Sequence, residues 1–395
     1  MYDYAIIGAG ISGVSFAKML LLSGNTNFVV LEREPVCGGL CRTIEHSGHV
    51  LDVGGGHFLC SKYQEVYDFI FSQIDESAFN QFSRVSKIDV LGSVVDYPLE
   101  YNLWQLPDDL KLRLLLSIVE AKRSGCATNY LNWIRDNLGD DIAEVYMYPY
   151  NLKLWGIDPS RMDVDWLSKI PAFSLREVLK ATFAHAGGNM PSHTKFYYPK
   201  RGGFQTIFDA IRRSIGNIVT LYDIKEMRFD NDRWIINDDI QAKTVINTAP
   251  WFSLRDALKA PIAVARYINQ LRWSSLTVEL NKTEYSHDWH WLYIPDEMTP
   301  HHREFYIHNF APHSKQGGIY TECNTDRWKN SGAIYTHHNS YAYPVPIKGH
   351  AAVISAILGY YASSRLFGLG RWGQWRYLNA DVCILEALRL FKQLK

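Results

Sequence analysis

"YDYAIIGAGISGVSFAKMLLLSG", residues 2–24, decides the fold. An apolar strand, Tyr4–Ile7, runs into Gly8, Gly10 and Gly13, spaced GxGxxG. An amphipathic helix follows from about Ser12 to Leu22, and a second apolar strand, "NFVVLERE" (27–34), carries Glu32. Each part has a task in binding a dinucleotide. Gly8 makes the tight turn, Gly10 lets a pyrophosphate approach the backbone, and Gly13 lets helix and strand pack closely. The helix N-terminus offers unpaired N–H groups and positive dipole to the phosphates. Glu32 stands where a carboxylate accepts from ribose hydroxyls. A glycine triplet alone means little, but here strand, helix, second strand and acidic residue are all in place.

Working outward, 395 residues are too many for one ordinary core and predict two or three domains. A net charge of zero argues against a broad nucleic-acid footprint or a basic membrane surface, yet leaves room for a local basic site for a small anion. Cysteines stand at 37, 41, 60, 126, 323 and 383, and three residues separate Cys37 from Cys41, not the two of a metal or redox pair. They read as free thiols of a reducing compartment. No basic leader precedes the first strand, and the longest apolar runs, such as "AAVISAILGYYA" (351–362), fall short of a membrane span. A soluble cytoplasmic protein is expected. The histidine pair in "PHHRE" (300–304) has no third ligand nearby in sequence, so no metal is expected.

Apolar spacing predicts helices over 108–150, in "DDLKLRLLLSIVEAKR" and "NYLNWIRDNLGDDIAEVYMYPY". Residues 265–325 read as strands, with "SLTVEL", "HWLYIP", "REFYIHNF" and "GGIYTEC" separated by polar turns. "DVCILEALRLFKQLK" (381–395) reads as a closing amphipathic helix.

"EREPVCGGLCRT" (32–43) puts Gly38, Gly39 and Arg42 just after Glu32. This resembles the second glycine pair of FAD enzymes of the amine-oxidase and glutathione-reductase type. "TVINTAP" (244–250) resembles the strand that closes the FAD domain in that superfamily. "DVGGGHFLCSKY" (52–63) suggests a loop pressed on something flat, with Gly55, Gly56 and His57 at an isoalloxazine. A satisfied turn histidine is the plainer reading of His57 taken alone.

Five later segments resemble the UDP-galactopyranose mutases. They are "YMYPYNLKLWGIDPSRMDVDWL" (146–167), "GGNMPSHTKFYYPKRGGFQTIFDAI" (187–211), "WLYIPDEMTPHHREFYIHNFAP" (291–312), "AYPVPIKGH" (342–350) and "GRWGQWRY" (370–377). The resemblance covers essentially the whole chain. It implies an α/β fold: a discontinuous Rossmann-like FAD domain (1–80, 200–255 and 350–395) with an inserted helical domain (105–165) and an inserted antiparallel β-sheet domain (81–104, 166–199 and 256–349).

It implies site residues too. Arg201 and Arg303 would grip the diphosphate of a sugar nucleotide, helped by Tyr293, Tyr343 and Tyr377. Tyr97, Asn151, Trp155 and Asn309 would line the substrate site. Arg371 would lie by the flavin, with Asn379 and Asp381 near its ribityl and phosphate end. The implied reaction interconverts pyranose and furanose forms of a nucleotide-linked galactose, with N5 of reduced FAD as nucleophile. The arginines suit this independently, because a guanidinium fork meets a diphosphate with charge-assisted bonds. Any one of them alone could be a solvated loop charge.

Leu99, Glu100 and Met190 depart from the family's wording near the base or sugar, so the nucleoside and the sugar stay open. NAD(P)H as reductant has no separate motif, and the oligomer, a homodimer included, is not readable. The alternatives are an FAD oxidase or desaturase of the amine-oxidase type, and a flavin-binding relative without activity.

Overall fold

The computed structural model describes residues 1–167, 174–186 and 194–395. The opening stretch forms β1 (Tyr2–Ile7), α1 (Ile11–Leu22) and β2 (Phe28–Leu31), with β1 and β2 parallel. A helix crossing between parallel neighbours is the unit that strand–glycine turn–helix–strand predicts. Gly13 is required where α1 lies on β1: a Cβ there would sit 2.1 Å from the Gly8 carbonyl oxygen. Ile240–Asn247, the expected closing strand, pairs parallel with the other edge of β1.

Four more strands complete a seven-stranded sheet: Ile218–Val219 beside β2, Leu366–Gly368 beside Ile240–Asn247, and the hairpin Met227–Asp230 with Arg233–Ile236. Every strand of this sheet falls within 1–80, 200–255 and 350–395. The helix Ile262–Ile268, expected with the antiparallel region, instead packs on helix His350–Ala362 and shares a core with Trp251, Leu254 and Trp375.

The second seven-stranded sheet runs in the order 335–345, 272–282, 318–323, 303–306, 291–293, 86–90, 93–96. It is antiparallel except where Trp291–Tyr293 pairs parallel with Ser86–Val90. Its register sets Arg303 opposite both Glu322 and Tyr293. That pairing builds the site described below.

The helical segment is more broken than its periodicity predicts. Helix Asp108–Glu120 is separated in the chain from the next helix, and Tyr130–Leu138 stops at Gly139, whose φ is 85° and whose absent Cβ would lie 2.1 Å from the Ser117 carbonyl oxygen. A wide π-turn, Ala143–Met147, then leads into helix Tyr148–Trp155, which has proline in its first turn. Proline donates no backbone hydrogen bond, so the ladder loosens where Pro149 enters. Among the described residues no helix is long and apolar enough to cross a membrane.

Candidate active site

A cavity of about 470 Å³ opens at the carboxyl ends of β1 and β2. That is where doubly wound sheets bind ligands. Gly8, Gly10, Glu32, Gly38, Gly39 and Arg42 line one stretch of it, and His57, Asn339 and Arg371 another. Gly8, at φ 95°, makes the turn. A Cβ on Gly10 would meet no protein atom within 4 Å, so the space beside it is left for something other than protein. α1 starts there without a capping side chain. The second glycine pair closes the cradle: the Gly38 N–H donates to the Ala9 carbonyl at 2.9 Å. Glu32 accepts from the N–H groups of Ala9 (2.8 Å) and Glu34 (2.9 Å), fixing the turn while facing the cavity. These residues fit a dinucleotide, with a helix N-terminus and glycine backbone for the pyrophosphate.

The glycines before His57 face protein. A Cβ on Gly54 would strike the Leu40 carbonyl, on Gly55 the Glu322 carboxylate, and on Gly56 the Phe305 ring. Gly55 and Gly56 are therefore explained by contact with the second sheet, and of this loop His57 lines the cavity. His57 Nδ1 lies 2.7 Å from the Gly55 carbonyl oxygen. A carbonyl only accepts, so Nδ1 carries the proton. Burial, reinforced by Arg371, pushes the ring down to about 4, so His57 is neutral at neutral pH.

At the start of the last helix the lining side chains are Leu378, Ala380 and Cys383. Asn379 and Asp381, assigned to the cofactor above, do not line the cavity: Asn379 is exposed, and Asp381 is buried in the first turn of helix Ala380–Leu394. Successive helix residues point about 100° apart. The start of the last helix thus reaches the cavity through Leu378, Ala380 and Cys383 rather than through Asn379 and Asp381.

Arg371 spans the cavity and a second cluster. Its Nε donates to the Leu378 carbonyl (2.8 Å) and one terminal nitrogen to the Ala342 carbonyl (2.9 Å). Its guanidinium carbon lies 5.5 Å from the ring centre of Tyr343 and 5.8 Å from that of Tyr377. Those two rings pack edge to face at 5.4 Å. Arg303 stands 5.9 Å from the Tyr293 ring, which also packs on Tyr97 (5.3 Å) and Tyr150 (5.5 Å). Burial raises Tyr97, Tyr150, Tyr343 and Tyr377 above the ordinary tyrosine value, so all four remain protonated donors at neutral pH.

Two members of this cage were not foreseen. Glu322, fully buried, accepts from Arg303 Nε at 2.9 Å and from the Gly56 N–H at 2.7 Å. Burial would raise its carboxyl, but Arg303, His302 and the Gly56 N–H outweigh that and hold it at about 2. The second is Arg84, half-buried, with its guanidinium carbon 4.3 Å from the Tyr97 ring and 4.8 Å from the Trp291 ring. It donates to the Ser86 hydroxyl (2.9 Å) and the Tyr293 hydroxyl (3.1 Å). Glu322 neutralises Arg303, whereas among the described residues Arg84 has no carboxylate partner. Arg84 and Arg371, which donates to the Leu378 and Ala342 carbonyls, are therefore cage cations with no carboxylate bonded to them among the described residues.

Other assignments change. Arg201 is exposed on a turn whose next residues, Gly202 and Gly203, have φ of 76° and 66°, and it lies near His313. Among the described residues no hydrogen bond or ring contact joins it to the Arg303 cage. Trp155 and Asn151 are buried and bonded to each other, Nε1 to Oδ1 at 3.2 Å, and Trp155 supports Tyr343 and Tyr377 edge on. Asn309 donates to the carbonyls of His287 and Trp289, which ties down the strand entrance. These three hold the cage rather than face it. Met190 lies outside the described residues.

Comparison with known proteins follows the geometry. Residues 6–71 match the family model of an NAD(P)-binding Rossmann-like domain. A dTDP-fucopyranose mutase of Escherichia coli is 25% identical over 183 residues, so the match takes in 43% of this chain and a little under half, 46%, of that one. A probable UDP-galactopyranose mutase of Klebsiella pneumoniae is 21% identical over a 402-residue alignment, 97% of this chain and 92% of the other. The crystal structure of reduced UDP-galactopyranose mutase superposes with a TM-score of 0.90, over 100% of this chain and 94% of that one, at 21% identity. Cyclohexylamine oxidase from Brevibacterium oxydans superposes with a TM-score of 0.70 at 14% identity, over 100% and 99%. In sequence this chain is similar to a probable UDP-galactopyranose mutase over nearly its whole length, and in fold it is similar to the solved reduced enzyme.

Proposed function

We propose that this chain is a flavin-dependent isomerase that interconverts the pyranose and furanose forms of a nucleotide-diphosphate sugar, with FAD in the cavity between Glu32 and His57. One observation carries the reading: Arg371 lines the dinucleotide cavity and also stacks on the tyrosines of the Arg84–Arg303 cage. Cofactor and cage thus meet at one side chain. Bound and reduced, the flavin would supply the nucleophile that displaces the nucleoside diphosphate from the sugar.

The chain's own groups do the rest. Arg84 and Arg303 stabilise the charge that grows on the departing diphosphate. The protonated tyrosines donate hydrogen bonds without adding charge. His57, neutral, sets no charge beside the cofactor. The aromatic walls exclude water while the diphosphate is held for its return. Glu100, half-buried near Tyr97 and with its carboxyl raised by burial, is an acceptor for a donor group on the substrate.

A second reading, an FAD oxidase acting on an amine, has the cyclohexylamine oxidase likeness behind it. Three guanidinium groups in the cage oppose a cationic substrate. Equilibrium titration separates the two. UDP or dTDP is expected to bind the purified holoprotein and perturb its flavin absorbance, while cyclohexylamine does not. The opposite pattern would sink the proposal.

Arg84→Ala is expected to weaken nucleoside-diphosphate binding by about 10-fold or more, the scale of a lost hydrogen bond to a charged group, with little change in thermal stability. Arg84→Lys should recover part of that loss. Unchanged affinity in the alanine variant would remove Arg84 from the diphosphate site.

A further inference from the structure

We infer that Asp163, Asp165 and His350 form a binding site for a divalent cation of the zinc class, apart from the cofactor cavity and the arginine cage. The two carboxylates follow helix Tyr148–Trp155 in the chain, and His350 opens helix His350–Ala362. Their donor atoms all lie within 4.8 Å of one another. Backbone pairing builds the juxtaposition. Met162 bridges to Ile347, the Asp163 N–H donates to the Pro346 carbonyl (2.7 Å), and the Lys348 N–H donates to the Arg161 carbonyl (3.0 Å). None of the three residues lines the cavity. The expectation of no metal rested on the histidines of 300–304, whereas these donors come from distant segments that only the fold brings together.

The imidazole is what points to a ligand. The His350 side chain is only 8% exposed. Its Nδ1 lies 3.1 Å from the Ile347 carbonyl oxygen. A carbonyl only accepts, so Nδ1 carries the proton, and in the neutral ring Nε2 keeps a bare lone pair. Nε2 makes no hydrogen bond and stands 3.7 Å from Asp165 Oδ2. Two lone pairs that face each other repel unless a positive charge sits between them. A second ring proton would engage Asp165 alone, whereas a metal ion bonds all three donors at once. Burial, with the Asp163 carboxylate alongside and against the pull of His350, raises the Asp165 carboxyl, a tension that a cation relieves.

The outer bonds fit as well. Asp163 accepts from the Val164 N–H (2.8 Å) and from the Gly349 N–H (2.9 Å). Hydrogen bonds of this kind, and a ring N–H on a backbone carbonyl, orient metal ligands. Arg161 and Lys348, close by in the chain, are exposed and make no ion pair with these carboxylates. One imidazole and two carboxylates suit zinc and its first-row neighbours, while magnesium and calcium take oxygen shells. Bonds of about 2.0–2.2 Å would draw the donors to roughly 3.4 Å apart, with water completing the shell. The ion would pin one wall of the cage: Trp166 Nε1 donates to the Asp163 carbonyl (2.9 Å), and its ring packs on Trp155 (5.4 Å) and Tyr377 (6.5 Å).

Calorimetric titration of the chelator-treated full-length protein with zinc chloride tests the site. The wild type is expected to take up one saturable equivalent per chain. His350→Ala should weaken that uptake by about 10²-fold or more, and Asp165→Asn, at an exposed position, by about 10-fold. Zinc should raise the melting temperature of the wild type and leave that of His350→Ala where it was. Should His350→Ala fail to fold, Asp165→Asn decides alone. A wild type with no saturable zinc site would overturn the inference. So would zinc held equally by the variants, which marks adventitious binding elsewhere, or magnesium bound as tightly as zinc.

Discussion

Arg303→Ala is expected to lower turnover by about 10²-fold or more and, separately, to destabilise the fold by about 3–5 kcal/mol. The first effect is the loss of a donor to the departing diphosphate. The second comes from Glu322, fully buried and held ionised by Arg303 at 2.9 Å. Without that guanidinium a charge is left in the interior. The two effects can be told apart. Arg303→Ala with Glu322→Gln removes the stranded charge, so stability should recover while turnover stays low. Recovery of both would assign Arg303 a purely structural part.

The pH dependence carries a sign. The Glu322 carboxyl titrates near 2 in the folded chain against an ordinary 4.5. Between those values the unfolded chain binds a proton that the folded chain refuses, so the pair's contribution, about 3 kcal/mol, is complete above 4.5 and lost as pH falls toward 2. In Arg303→Ala burial dominates and the carboxyl rises above its ordinary value. Acid then favours the folded state at that group, and the slope reverses. Denaturant unfolding of both proteins across acid pH reads the difference.

Gly10→Ala and Gly13→Ala are expected to fail in opposite ways. A methyl group on Gly13 would lie 2.1 Å from the Gly8 carbonyl oxygen, and neither β1 nor α1 can yield without repacking. Overpacking of this kind costs about 1–3 kcal/mol, so Gly13→Ala should melt lower even without cofactor. At Gly10 the backbone has φ −82° and a methyl group meets no protein. The cofactor-free Gly10→Ala protein should melt with the wild type. Its flavin affinity should fall by about 10²-fold, because the methyl occupies the path of the pyrophosphate and its charge-assisted bonds are lost. Melting temperature of the stripped protein and flavin retained after dialysis give the two readings. Full flavin retention by Gly10→Ala would mean that the space beside Gly10 is not a phosphate site.

The contrast shows what kind of feature a sequence discloses. The strand, glycine turn, α1 and β2 are local, and each glycine answers to atoms a few residues away or to the ligand beside it. The Arg371–Tyr377 contact is equally local, since the two residues stand six positions apart. The cage is different, because it depends on strand register. Glu322 faces Arg303 only once Arg303–Tyr306 and Gly318–Cys323 are aligned, and the eighteen intervening residues give no hint of it. Arg84 reaches Tyr97 and Tyr293 from a short link between two sheets.

Arg201 misled for the converse reason. A basic residue before two glycines reads the same whether its turn faces a site or solvent. Asn151 and Trp155 were visible as a motif, but a motif does not say which members touch substrate and which support the tyrosines from behind.

The central claim is isomerisation at a flavin with no net redox. Incubation of the holoprotein with UDP-galactose, dTDP-linked deoxysugars and acetamido sugar nucleotides, anaerobically and with dithionite, followed by chromatography of the products, tests it most directly. The account predicts that at least one pyranose equilibrates with its furanose under reduction and none when the flavin is left oxidised. Conversion that ignores the flavin's state, or oxygen consumption with an amine while every nucleotide sugar returns unchanged, would contradict it.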